Sequence, residues 1–191
     1  MIAATGTACL YYYDLTRIKC LHTPDTITYN AVFASQNLAV LGLDDGIIEI
    51  WDLKKFTRLF SLEQFLYKDN IVGPLVFSPD RKLLASGFKN QPFIVLWDTE
   101  SWYPKIKLLT SYPAFSLAFS NDGRFLAMGS NSEVLIWDVF SGINLCTLTS
   151  KGKRIMGVSF SPGEKQVYAG SSDGFVEIWD ITSGCMAKDL K

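Results

Sequence analysis

Histidine is almost missing from this 191-residue chain: His22 is the only one. A hydrolase of the Ser-His type therefore has one possible base, and a histidine-rich metal centre would have a single imidazole ligand. The four cysteines, Cys9, Cys20, Cys146 and Cys185, form no C-x-x-C pair, so a closely spaced zinc site is not expected and isolated buried thiols are. No cofactor is expected, because no P-loop or Rossmann glycine pattern occurs. Charge of one sign is also missing. Against 19 Asp plus Glu stand 18 Lys plus Arg, a net charge of -1, which exerts no general pull on nucleic acid or anionic lipid. No apolar run approaches the roughly 20 residues of a membrane span, and Met1 to Thr7 has no charged n-region followed by an apolar core. The expectation is a chain with no membrane partner and an intracellular location, cytoplasmic or nuclear.

Apolar residues and a repeat are what is present. With 48% hydrophobic residues, the chain can bury a substantial core. Four segments end alike: Ile47-Ile-Glu-Ile-Trp-Asp-Leu53, Phe93-Ile-Val-Leu-Trp-Asp-Thr99, Val134-Leu-Ile-Trp-Asp-Val139 and Phe175-Val-Glu-Ile-Trp-Asp-Ile181. Leu10-Tyr-Tyr-Tyr-Asp-Leu15 is a degraded fifth. Their aspartates, at 14, 52, 98, 138 and 180, are 38, 46, 40 and 42 residues apart, a period that suits four short strands per unit and excludes leucine-rich and helical repeats.

A second marker lies upstream of each: Val32-Phe-Ala-Ser35, Val76-Phe-Ser-Pro-Asp80, Ala118-Phe-Ser-Asn-Asp-Gly123 and Ser159-Phe-Ser-Pro-Gly163. Each is an apolar strand running into residues that favour a tight turn. Small apolar segments follow, Leu38 to Gly42, Leu83 to Gly87, Phe125 to Gly129 and Gln166 to Gly170, as strands packed on both faces require. Asp44-Asp-Gly46 and Ser172-Asp-Gly174 are hairpin turns.

On these residues the chain resembles the WD-repeat β-propellers along essentially its whole length. The resemblance implies an all-β array of blades, each with strands a to d from the axis outward, the Phe turns closing a, the small-residue strand being b and Trp-Asp ending c. The expected blades cover roughly residues 2–21, 31–62, 72–110, 115–148 and 156–190. The first lacks its inner strand, so there are four full blades and a three-stranded partial one. Residues Gly184 to Leu190 supply the last outer strand. Since no segment remains to fill the gap, the expectation is an incomplete propeller, an open arc: a fragment, a truncated product, or part of a ring completed by another chain, with a strained five-blade closure as the alternative.

The recurring Trp51, Asp52, Trp97, Asp98, Trp137, Asp138, Trp179 and Asp180 are expected to be structural, with each indole a wedge between blades whose N–H needs a partner. Many family members supply it through a histidine before strand a, but Pro24, Lys68, Thr110 and Lys151 stand there. Asp45 and Asp173 keep the turn aspartate of that network. Gly170-Ser-Ser-Asp-Gly174 matches the G-x-S-x-G nucleophile elbow, which needs a strand turning into a helix and a nearby base; here it falls in a hairpin.

The resemblance implies a non-catalytic protein-interaction scaffold or adaptor, whose partners are other proteins or the rest of a larger propeller. Small molecules are not expected partners. The alternatives are a nucleic-acid-associated propeller, through Lys151, Lys153 and Arg154, and a propeller hydrolase. Recognition is expected on the loops between d and a and between b and c, at Phe65, Tyr67, Lys68, Phe88, Tyr112 and Arg154. Trp102 is expected against a strand edge.

Overall fold

The computed structural model describes residues 2–5, 7–11, 17–21, 26–63 and 70–181. They form five antiparallel sheets in chain order, with no helix among the described residues. The first has three strands, β1 Ile2–Thr5, β2 Thr7–Tyr11 and β3 Arg17–Cys20. The second comprises β4 Thr28–Ser35, β5 Leu38–Leu43, β6 Ile48–Asp52 and β7 Thr57–Leu62. The third comprises β8 Val72–Phe77, β9 Leu83–Phe88, β10 Phe93–Asp98 and β11 Pro104–Leu109. The fourth comprises β12 Ser116–Phe119, β13 Phe125–Gly129, β14 Glu133–Asp138 and β15 Asn144–Thr149. In the fifth the described strands are β16 Ile155–Phe160, β17 Gln166–Ser171 and β18 Val176–Asp180; the expected outer strand at Gly184 to Leu190 lies outside the described residues. Each sheet is a plain up-and-down meander. The all-β, open propeller is as expected.

The two sequence markers build the turns. Ser78 donates its hydroxyl to Asp80 at 2.6 Å and accepts the Leu83 N–H at 2.9 Å. Ser120 does the same with Asp122, 2.6 Å, and Phe125, 2.8 Å. The third residue after the serine is left-handed in three repeats, at Arg81, Gly123 and Glu164. The outer hairpin is closed by the aspartate of Trp-Asp. Asp98 accepts the N–H groups of Glu100, 3.1 Å, and Ser101, 2.9 Å, while Asp138 accepts those of Phe140 and Ser141, at 3.1 and 3.0 Å. Such Asx turns hold the chain while it reverses. The fourth residue after each of these aspartates, Phe56, Trp102 or Gly142, then takes positive φ. At that turn the Trp102 ring meets Phe60 of β7, on the outer strand of the preceding sheet, edge-on at 5.8 Å.

These carboxylates all titrate below the ordinary range. The cause is the Ser101 N–H and hydroxyl at Asp98, the Ser141 N–H at Asp138, the Lys55 N–H at Asp52, and the serine hydroxyls at Asp80, Asp122 and Asp173. A depressed folded pKa adds stability that is fully present above the unfolded value, near 3.9, and lost as pH falls through the folded one. Asp45 acts in the opposite sense, because burial raises its pKa. Urea midpoints measured against pH should therefore stay level from neutrality to about pH 5 and fall below about pH 4. Asp98→Asn with Asp138→Asn should make that fall shallower, since an amide oxygen keeps the turn but does not titrate. An acid loss that begins above pH 5, or one as steep in the variant, contradicts this account.

Three hydrophobic clusters lie between neighbouring sheets from the second to the fifth, and a fourth joins Leu21 to the second sheet. At every b–c pair a four-residue set faces the next blade: Val40, Gly42, Ile48 and Ile50; then Ala85, Gly87, Ile94 and Leu96; then Ala127, Gly129, Val134 and Ile136. Their side chains are wholly buried or nearly so. The tryptophan of the following blade packs on each set. Cys146, on β15, is disulfide-bonded. This corrects the expectation of isolated thiols: separation along the sequence carries no information about proximity across strands.

Candidate protein-interaction surfaces

The last blade carries the same set, Tyr168, Gly170, Val176 and Ile178, on paired positions of β17 and β18. Its face is open. In the three preceding blades a Cβ built on the glycine would stand 2.5 Å from Val72, 2.8 Å from Ala114 and 2.6 Å from Ile155, each the aliphatic residue that starts or precedes the next inner strand. At Gly170 no described atom lies within 4 Å. Val176 is 73% exposed, whereas its counterparts Ile48, Ile94 and Val134 are at most 1% exposed.

The inner strands converge on two concave mouths. One, on the side of the Phe turns, has a volume of about 560 Å³ and is lined by Phe33, Phe77, Phe119 and Arg81. Arg81 donates to the Phe33 carbonyl and, at 3.3 Å, to that of Ala34, tying the turn of one blade to the next. The Asp122 N–H donates to Glu164 at 2.7 Å in the same way two blades on. The opposite mouth, about 590 Å³, lies among the b–c and d–a connections and includes Tyr29, Lys89, Phe115, Arg154 and Met156.

Of the six expected contact residues, Phe65, Tyr67 and Lys68 lie outside the described residues. Phe88 cannot serve. It is 1% exposed, its ring 5.1 Å from that of Phe93 in the interface between the second and third blades. The loop it was assigned to begins only at Lys89, because β9 runs one residue further than the small-residue segment. Tyr112 is 44% exposed and lines a separate hollow of about 280 Å³ with Asn131, Glu133 and Thr149. Arg154 reaches the second mouth, where its guanidinium lies over the Phe115 ring at 5.5 Å from the centroid.

The tryptophans of the four Trp-Asp strands are all buried. Trp97 donates its indole N–H to the hydroxyl of Ser86 on β9 at 2.8 Å. Trp51 uses a different partner, the carboxylate of Glu49 at 2.8 Å, and Glu49 is also held by Arg58 at 2.6 Å. Sequence reasoning missed this role, although the Glu-Ile-Trp shared by residues 49–51 and 177–179 was a signal. Glu177, the equivalent acid, instead accepts the Ser150 hydroxyl and the Lys151 N–H. The G-x-S-x-G segment is a hairpin between β17 and β18, with Gly174 at positive φ and the Ser171 hydroxyl donating to Asp173 at 2.6 Å. Strand follows strand, so it is no nucleophile elbow.

Stacked four-stranded meanders with interblade tryptophans are the architecture of a WD-repeat β-propeller, and the chain carries WD repeats in two stretches. The family description "WD domain, G-beta repeat" matches residues 106–138 and 142–180. Telomerase protein component 1 of Rattus norvegicus is 28% identical over 153 residues, covering 80% of this chain and 6% of that protein. WD repeat and SOCS box-containing protein 1 of Takifugu rubripes is 32% identical over 107 residues, 54% of this chain and 24% of that one. A chain in the crystal structure of the mitotic checkpoint complex superposes with a TM-score of 0.83 at 22% identity, covering 96% of this chain and 58% of its own length. The chain thus spans less than two thirds of each of these relatives. No helix among the described residues is long and apolar enough to cross a membrane.

Proposed function

We propose that the chain is a non-catalytic protein-interaction scaffold, and that its open lateral face is completed by a further blade of the same kind. The observation that carries this is Gly170 with its bare surroundings, where three preceding glycines are met by Val72, Ala114 and Ile155. Repetition specifies the occupant: an inner strand starting with an aliphatic residue, and a tryptophan to lie over Val176 and Ile178. A face of that shape and apolarity is a binding surface for protein, not for a small polar substrate. Turnover has no place in this reading, since the strands are consumed by packing and the G-x-S-x-G segment is a turn. An intracellular setting, cytoplasmic or nuclear, belongs to the same proposal and is supported by similarity to a telomerase component.

Affinity capture read by mass spectrometry tests it. The immobilised chain should retain polypeptides that carry repeats of this type, and Val176→Asp, which puts a charge on the open face, should release them at least about tenfold. The same capture by wild type and variant, or capture of no such polypeptide, overturns the assignment.

A further inference from the structure

The second mouth differs in kind from the lateral face, and the inference about it does not depend on a further blade. It lies where four blades meet: Tyr29 opens toward it from β4, Phe115 precedes β12, Met156 is on β16, and Lys89 and Arg154 come from connections of the third and fifth blades. Every side chain of its lining is neutral or cationic. Among the described residues the ion pairs are Arg58 with Glu49 and Arg124 with Asp138, and neither involves Lys89 or Arg154.

Both cations are held in place. The Lys89 N–H donates to the Ile71 carbonyl at 2.9 Å and its ammonium sits 3.9 Å over the centroid of Tyr29. The Arg154 carbonyl accepts the Ser172 N–H at 2.8 Å, and the next residue, Ile155, is the buried aliphatic that meets Gly129. An aromatic ring under each cation stabilises an extended side chain without neutralising it. Two unneutralised positive charges in a concave wall focus potential on its opening.

We propose that this mouth docks an acidic peptide segment, its carboxylate or phosphate seated between Lys89 and Arg154 and an adjacent apolar side chain against Met156 and Phe115. Anions on peptides satisfy both cations through charge-assisted hydrogen bonds. A nucleic acid fits less well. Tyr29 and Phe115 already carry the protein's own cations and offer no free platform for bases, and a cavity of about 590 Å³ takes a few side chains, not a polyanion.

Fluorescence anisotropy with three short labelled peptide pools, random except for a central Glu, phosphoserine or Gln, tests the proposal on the intact chain. The Glu and phosphoserine pools should bind at least about tenfold more tightly than the Gln pool, with an advantage that shrinks as salt rises. Lys89→Gln with Arg154→Gln should abolish that advantage and leave the melting temperature unchanged, both side chains being exposed. A phosphoserine pool bound well above the Glu pool assigns the anion as phosphate, and parity assigns it as carboxylate. Equal binding of all three pools, an acidic preference that survives the double substitution, or a single-stranded oligonucleotide bound in preference to the peptides overturns it. Val176→Asp should leave this binding intact, so failure here and failure of the lateral assignment are distinguishable.

Discussion

Trp97→Ala is expected to lower the free energy of unfolding by about 4 kcal/mol, the range for emptying a fully buried indole site. Trp97 is 1% exposed and belongs to the cluster that joins the second and third blades, with Ile48, Ile50 and Leu84. Three costs combine: lost apolar burial, a cavity that paired strands on both sides cannot collapse to fill, and the loss of the Ser86 hydroxyl's buried partner. Trp97→Phe separates them. It keeps most of the burial and should cost about 2 kcal/mol, chiefly through the orphaned hydroxyl and a smaller void. Urea unfolding with unchanged m-values measures both. A loss under about 1 kcal/mol for the alanine variant would mean that the indole is not the wedge between blades.

The wedge was legible in the sequence because its signal is both local and repeated: four Trp-Asp strands at a period that four strands fill, each preceded by a serine turn. What the sequence hid lies in the third dimension. Phe88 reads as a loop aromatic beside Lys-Asn-Gln-Pro, yet one more residue of strand turns its side chain into an interface. Glu49 reads as the exposed position of an alternating strand, and burial between Trp51 and Arg58 makes it a network partner. The left-handed residue at the fourth place after the aspartate could not be inferred from composition, since Phe, Trp and Gly share it. Lys89 gives no signal of its own, because nothing in one repeat says that the connections of two other repeats will share its cavity.

Gly129→Val is expected to cost about 3 kcal/mol, while Gly170→Val, the same change at the same place one repeat later, should cost close to nothing. Neither glycine has positive φ, so backbone strain does not separate them, and both lie in strands where valine is favoured over glycine. The difference is what stands opposite. At Gly129 a Cβ would lie 2.6 Å from the Ile155 side chain and 2.9 Å from the Ile155 carbonyl oxygen. A rotamer change relieves the first contact. The second is main chain at the start of β16, and moving it means parting the fourth and fifth blades. Around Gly170 no described atom lies within 4 Å, and the added methyl groups enter open space beside Val176. Paired urea titrations therefore test whether the last face is open in solution. A Gly170→Val chain destabilised as much as Gly129→Val would mean that something already covers that face. If instead Gly170→Val leaves the isolated chain untouched but weakens capture of a blade-bearing partner, the position that three repeats use for close packing serves the same purpose in the fourth.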